Sequence, residues 1–295
     1  MKQHGPRLTL TECAITGTLH PSASEYLVEY QNMTRVIAVA NQKGGVGKTT
    51  TSINLAAGIA LSGHPTLLVD IDPQGNATSG VGLKQRAAET GSVYEALMAD
   101  DPAENGERFV IASGVERLSL VPATRELTGA EIELIALPNR ERRLKQFIDA
   151  IKERFEYVVI DCPPSLGLLT LNGLVAADTV LIPLHCEYFA LEGLADLVGT
   201  MRQVRAAYNP VLEIEGVLLT MYDERTNLGQ QVARDVREFF KEKVFRTVIP
   251  RNVRLGEAPS HGVPGVVYDA KSRGAEAYFA LAHEVITRHY DQTAA

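Results

Sequence analysis

Apolar positions along this chain gather into short, nearly unbroken runs separated by stretches of helical spacing. Runs at 36–40, Thr66–Asp70, 118–122, Tyr157–Asp161, 179–183 and 217–220 each predict a strand. They are rich in β-branched residues and apolar at successive positions, so both faces of each strand need cover. Helices are predicted from Thr50 to a stop at Gly63, and over 139–155, 191–207, 229–241 and 273–289. The 139–155 segment carries Leu144, Phe147, Ile148 and Ile151 as its apolar stripe. Strands alternating with helices imply an α/β class: a doubly wound, mostly parallel sheet with helices on both faces. The stretch 83–118 breaks the alternation and reads as insertions.

Residues 1–33 differ from the rest. They mix Pro, Ser, Thr and Gly, show no sustained apolar period, and lack a basic-then-apolar secretory pattern. Met33 opens straight into the first predicted strand. The expectation is that 1–33 is a disordered extension, or a stretch wrongly included ahead of a natural start at Met33. Residues 34–295 are then a single domain.

Composition narrows the function. A 45% hydrophobic and 22% charged chain of 295 residues is ordinary for a globular protein. No apolar run approaches the roughly 18–20 residues of a membrane-spanning helix. Cys13, Cys162 and Cys186 have no paired spacing and read as free thiols in a reducing cytoplasm. A net charge of −7 argues against a surface basic all over. The segment 222–273 runs the other way, with ten Lys/Arg against seven Asp/Glu.

The chemistry concentrates at Lys43-Gly44-Gly45-Val46-Gly47-Lys48-Thr49-Thr50, between the first strand and the first helix. Strand, glycine-rich loop and helix turn backbone N–H groups and a helix N-terminus toward phosphate. In that arrangement Lys48 reaches the β/γ-phosphates and the Thr49 hydroxyl binds Mg²⁺. The glycine that usually opens such a loop is replaced by Gln42, and a second lysine, Lys43, follows. Two lysines around one triphosphate suggest that one serves a second active site across a dimer.

Three carboxylates fall at strand ends, where ligands of open α/β sheets bind. Asp161 has the placement of an aspartate that holds Mg²⁺ through water. Asp72 is read as the group that orients or deprotonates the attacking water. Asp70 supports the loop or the metal shell. Ser165 lacks a His/Asp arrangement and reads as a turn residue, and the scattered histidines, His261 among them, show no metal spacing.

The segments 41–50, 70–76 and 161–165 together resemble ParA-type ATPases of the chromosome-partition (Soj) branch, which carry a deviant phosphate loop. Segments 221–229 and 249–261 extend the resemblance, which runs from about Thr34 to the C-terminus. It implies ATP and Mg²⁺ as cofactors, ATP hydrolysis, and an ATP-dependent sandwich homodimer in which Lys43 contacts the partner's nucleotide. It also places Pro250 and Asn252 in an adenine-contacting loop, and gives Arg225 and Arg254 to nonspecific binding of nucleoid DNA. A ParB-type centromere-binding partner that stimulates hydrolysis is implied by the family alone.

Three other readings compete. A membrane-recruited regulator of the MinD type needs a basic amphipathic C-terminal helix, whereas 277–290 looks like a core-packing helix, so no stable membrane association is expected. An iron–sulfur carrier needs paired cysteine ligands, and none are seen. Positioning of a plasmid or other cargo stays open.

Overall fold

The computed structural model describes residues 34–187 and 190–293; the expectation for residues 1–33 lies outside them. Seven strands among the described residues build one sheet: β1 Arg35–Val39, β2 Thr66–Asp70, β3 Ile111–Ala112, β4 Leu118–Val121, β5 Tyr157–Asp161, β6 Thr179–His185 and β7 Glu213–Thr220. Their spatial order is β3-β4-β2-β5-β1-β6-β7. Every pairing is parallel except the β3–β4 edge. The order reverses direction around β1, so the switch point expected of a doubly wound sheet lies at that strand's C-terminal end.

The helices are α1 Lys48–Leu61, α2 Asn76–Gly80, α3 Lys84–Thr90, α4 Val93–Met98, α5 Leu127–Glu133, α6 Arg143–Ile151, α7 Leu168–Ala176, α8 Ala190–Ala207, α9 Asn227–Phe240, α10 Val253–Glu257, α11 Gly265–Tyr268 and α12 Arg273–Thr293. Alternate strand residues face opposite layers. Val36, Ala38, Val158 and Ile160 pack with α4 to α9, whereas Ile37, Val39, Tyr157 and Val159 pack with α1 and α12. Each fully buried Leu, Ile or Phe contributes about 1.5–3 kcal/mol relative to exposure, which is why the central strands carry almost no polar residue before their last position. Small residues bring α1 and α12 together: a Cβ on Gly58 would stand 3.1 Å from that of Ala282. α12 is accordingly a core helix, with Tyr278, Leu281, Ala282 and Val285 buried.

Some boundaries differ from the sequence reading, each for a local reason. The helix expected from Asn139 begins at Arg143, because Asn139 has φ 52° and its carbonyl accepts from Arg142 N to close a turn first. It ends at Ile151, and a 3₁₀ turn continues over Lys152–Arg154. β7 starts four residues before the expected Val217, since Glu213 and Glu215 hide the strand pattern. Glu215 is buried all the same, bonded to Arg35 and Thr179. The stretch read as insertions holds α3, α4 and the two-residue β3, too short to leave a period. Arg143 is buried and donates to the carbonyls of Leu97 and Ala99, supplying partners that the end of α4 lacks.

Phe147 is fully buried and meets Phe109 edge to ring, their centroids 6.3 Å apart. Phe147→Ala should lower unfolding stability by about 3–5 kcal/mol, read as an earlier urea midpoint at unchanged slope. A loss under about 1 kcal/mol would contradict its place in the core.

Candidate functional site

The parallel register brings the candidate site together. Asp161 ends β5 between Val39 of β1 and Asp70 of β2, which are its direct partners in the two ladders. The loop leaving β1 therefore passes beside Asp161, and Asp72 follows Asp70 by two residues. Sequence had placed these groups at strand ends; register makes them neighbours.

Two tethers hold the loop 41–47. Asn41 donates Nδ2–H to the Pro183 carbonyl of β6 at 2.7 Å, and its Oδ1 accepts from Lys43 N at 2.9 Å. Further along, the Thr220 hydroxyl at the end of β7 donates to the Val46 carbonyl at 2.7 Å. Gly45 and Gly47 have φ of 73° and 88°, a region that disfavours side chains. A Cβ on Gly44 or Gly45 would meet nothing within 4 Å, so these glycines leave open space above the loop. Gly47 caps α1 without a side-chain hydrogen bond. The first N–H groups of a 14-residue helix thus face that space. Thr49 and Thr50 lie in its first turn.

The two lysines behave differently. Lys48 is buried, and its ammonium turns back into its own loop to donate to the Lys43 carbonyl at 3.0 Å. Burial pulls its pKa down, opposed by the charges of Asp161 and Asp72. Lys43 pairs instead with Glu187, just past β6, at 2.5 Å, both side chains partly exposed. Glu187 also receives His185 Nδ1 at 2.7 Å.

Each carboxylate has its own environment. Asp70 is wholly buried and accepts from the N–H and hydroxyl of Thr78 and from Asp72 N. Those bonds fix the 71–78 loop. Asp72, almost fully buried, accepts from Gln74 N at 3.0 Å while its carbonyl takes Gly75 N, a tight turn that fixes its side chain. Asp161 Oδ1 accepts from Ser52 at 2.7 Å, whereas Oδ2 is buried without a partner. Burial first, then the Asp70 charge, raises the Asp161 pKa to about 8, against the hydrogen bond from Ser52 and the neighbouring Thr49 hydroxyl. Burial likewise raises Asp70, to about 6. A buried carboxylate oxygen without a donor, next to two hydroxyls and a buried lysine, fits a hydrated Mg²⁺ and the phosphates it accompanies.

The 249–252 segment runs alongside the C-terminal end of β7. Ile249 N bonds to the Leu219 carbonyl, and Tyr222 pairs with Pro250, so the 249–252 segment continues the rim begun at Thr220. Asn252 accepts from Arg254 N at 2.8 Å and caps α10. Arg225 is highly exposed and forms two bonds with Asp223, whose pKa that contact lowers to about 2. Arg254 pairs with Glu257 and Asp269. Asn41, Ser52, Thr78 and Glu187 were not singled out from sequence. Only Ser52 left a signal, one helical turn after Lys48 and Thr49.

Residues 34–214 match the family described as an AAA domain. The sporulation initiation inhibitor protein Soj of Bacillus subtilis is 56% identical over 253 residues, 86% of this chain and 98% of that protein. The chromosome partitioning protein ParA of Myxococcus xanthus is 54% identical over 254 residues, 86% of this chain and 88% of its own length. The chain belongs to the Soj/ParA family of chromosome-partitioning ATPases. Among solved structures, cobyrinic acid a,c-diamide synthase from Mycobacterium smegmatis, with a bound ATP analog and magnesium, superposes with a TM-score of 0.73. It is 38% identical, covering 88% of this chain and 96% of that one. MinD from Pyrococcus horikoshii, complexed with Mg-ADP, gives a TM-score of 0.69 at 26% identity, covering 86% and 96%. Within this Soj/ParA member, Gln42 and Lys43 belong to a loop whose tethers are now in view.

Lys48→Ala should weaken ATP binding at least about 100-fold, because it removes the ammonium buried against the glycine-rich loop; near-normal affinity for a fluorescent ATP analogue would contradict this. Asp161 gives a pH prediction. Its folded pKa lies above the unfolded value of 3.8, so the folded chain binds the proton more tightly and ionisation destabilises it. Its contribution is absent below the unfolded pKa and grows unfavourable up to about pH 8. Asp161→Asn should therefore raise the melting temperature of the nucleotide-free protein more at pH 8 than at pH 5. An equal change at both pH values would remove the buried charge as the cause.

Proposed function

We propose that this ATPase is a nucleotide-timed DNA-binding switch: ATP closes a sandwich dimer, the dimer binds nucleoid DNA nonspecifically, and hydrolysis releases it. The observation that carries this reading is the divergence of the two loop lysines. Lys48 serves its own loop, while Lys43 is held by a partly exposed ion pair to Glu187 that a second subunit's nucleotide could replace. A γ-phosphate reached from both subunits gives the dimer a preference for ATP over ADP, which a population shift requires.

In this reading the loop N–H groups, Lys48 and Thr49 hold the phosphates, and Pro250 with Asn252 flank the adenine. Thr49 and Asp161 would hold Mg²⁺, which would offset the negative charge of the phosphates. Asp72, fixed by the Gln74 turn, orients water for attack and accepts its proton. Arg225 and Arg254 take DNA phosphates in exchange for Asp223, Glu257 and Asp269; such exposed pairs are weak and screened by salt, so the exchange costs little. Two-fold symmetry repeats these contacts without requiring a basic chain. A ParB-type partner stimulates hydrolysis, and the protein works in the cytoplasm on the nucleoid. The buried packing of α12 disfavours the MinD-like membrane alternative.

The test is binding of the Asp72→Ala protein to nonspecific duplex DNA with ATP, with ADP and without nucleotide, across a salt series. Tight, salt-sensitive binding with ATP alone is expected, and adding Lys43→Ala should abolish it while sparing ATP binding. Equal binding in all three states, with ATP occupancy shown separately, would overturn the switch.

A further inference from the structure

The loop after Asp161 runs through Cys162, Pro163, Pro164 and Ser165 to Gly167, the N-cap of α7. This end of α7 has no side-chain cap, so its first N–H groups lack both an intrahelical and a side-chain acceptor. Glu131 of α5 reaches the same point. Its Oε1 is buried and has no hydrogen-bond partner, and a Cβ built on Gly167 would overlap it. Gly167 has φ −78° and ψ −171°, a backbone any residue adopts. What demands glycine here is room for the carboxylate.

An uncapped helix start and an unmet carboxylate oxygen therefore meet at Gly167 without bonding. A buried acceptor left unmet is unfavourable, and a negative charge beside a helix N-terminus is favoured by the helix field. A small shift of the loop that brings the N–H groups of α7 onto Glu131 satisfies both. That loop begins at Asp161, so the shift reaches the nucleotide side of the site.

We propose that Glu131 is a positioning residue for the Asp161 loop: with nucleotide bound, its carboxylate caps α7 and fixes the loop for hydrolysis. Glu131 touches no phosphate and acts through the loop. The proposal rests on reading Asp161 as a group of the ATP site.

The experiment uses the full chain with Glu131→Ala, Glu131→Gln and Gly167→Ala. ATP affinity, kcat and hydrogen exchange of the 168–170 amides, with and without Mg²⁺–ATP, are measured beside wild type. Glu131→Ala and Gly167→Ala should keep ATP affinity within about twofold yet lower kcat about 10-fold, the scale of one charged hydrogen bond. Glu131→Gln keeps an acceptor oxygen and should recover part of that loss. Wild-type amides at 168–170 should gain protection with nucleotide, and those of Glu131→Ala should not. Unchanged kcat in both alanine variants, or equal gain of protection without Glu131, would overturn the proposal. So would a joint fall of ATP affinity, kcat and melting temperature, which would mark a packing role. The wild-type ATP affinity and turnover register a failure of the ATP-site reading separately.

Discussion

A parallel sheet covered on both faces leaves its buried polar side chains to gather at the ends of its strands. Here that constraint puts Asp70 and Asp161 side by side in register, with Asp72 and the Lys48 ammonium next to them, all nearly closed off from water. Such a cluster is unfavourable by itself: burial and mutual repulsion raise both strand-end aspartates toward their neutral forms. Hydroxyls from Ser52 and Thr78 relieve part of the strain. The orphaned Oδ2 of Asp161 is what remains, and a cation with its water shell meets that need.

The phosphate loop depends on the same sheet. Its ends are pinned to β6 through Asn41 and to β7 through Thr220, so the glycines between are free in conformation but fixed in place. Preorganised N–H groups need little reorganisation when charge develops, and phosphoryl transfer draws chiefly on such positioning. The lysines divide along the same lines. Lys48, buried at the start of α1, donates to the Lys43 carbonyl of the loop, whereas the Lys43 side chain pairs with the partly exposed Glu187.

Arg225, Arg254 and Lys43 each hold a partly exposed carboxylate, and such pairs contribute little to stability. The meeting of Glu131 with the start of α7 differs in kind, because a buried carboxylate oxygen there is left without a partner between half-buried residues. Structural economy explains a satisfied bond, but not an acceptor held open beside donors.

Much of the fold was legible in the sequence because buried strands and amphipathic helices leave periodic apolar signatures. β2 and β5 have the expected bounds, and the stripe from Leu144 to Ile151 is buried as read. The misses share a cause. The Glu213 and Glu215 start of β7, the two-residue β3 and the delayed start of α6 after Asn139 were set by distant partners or by a single backbone angle, which no window of residues records. The site divides likewise. Residue type and spacing singled out Lys43, Lys48, Thr49, Asp72 and Asp161 as candidates, because phosphate and metal chemistry use such groups near glycine turns. Only the tertiary structure decided that Asp161 lies beside Asp70, that Thr220 and Asn41 hold the loop from two other strands, and that Glu131 ends at Gly167. Those facts depend on strand order and helix packing, which join residues far apart in sequence through a core that no local pattern describes.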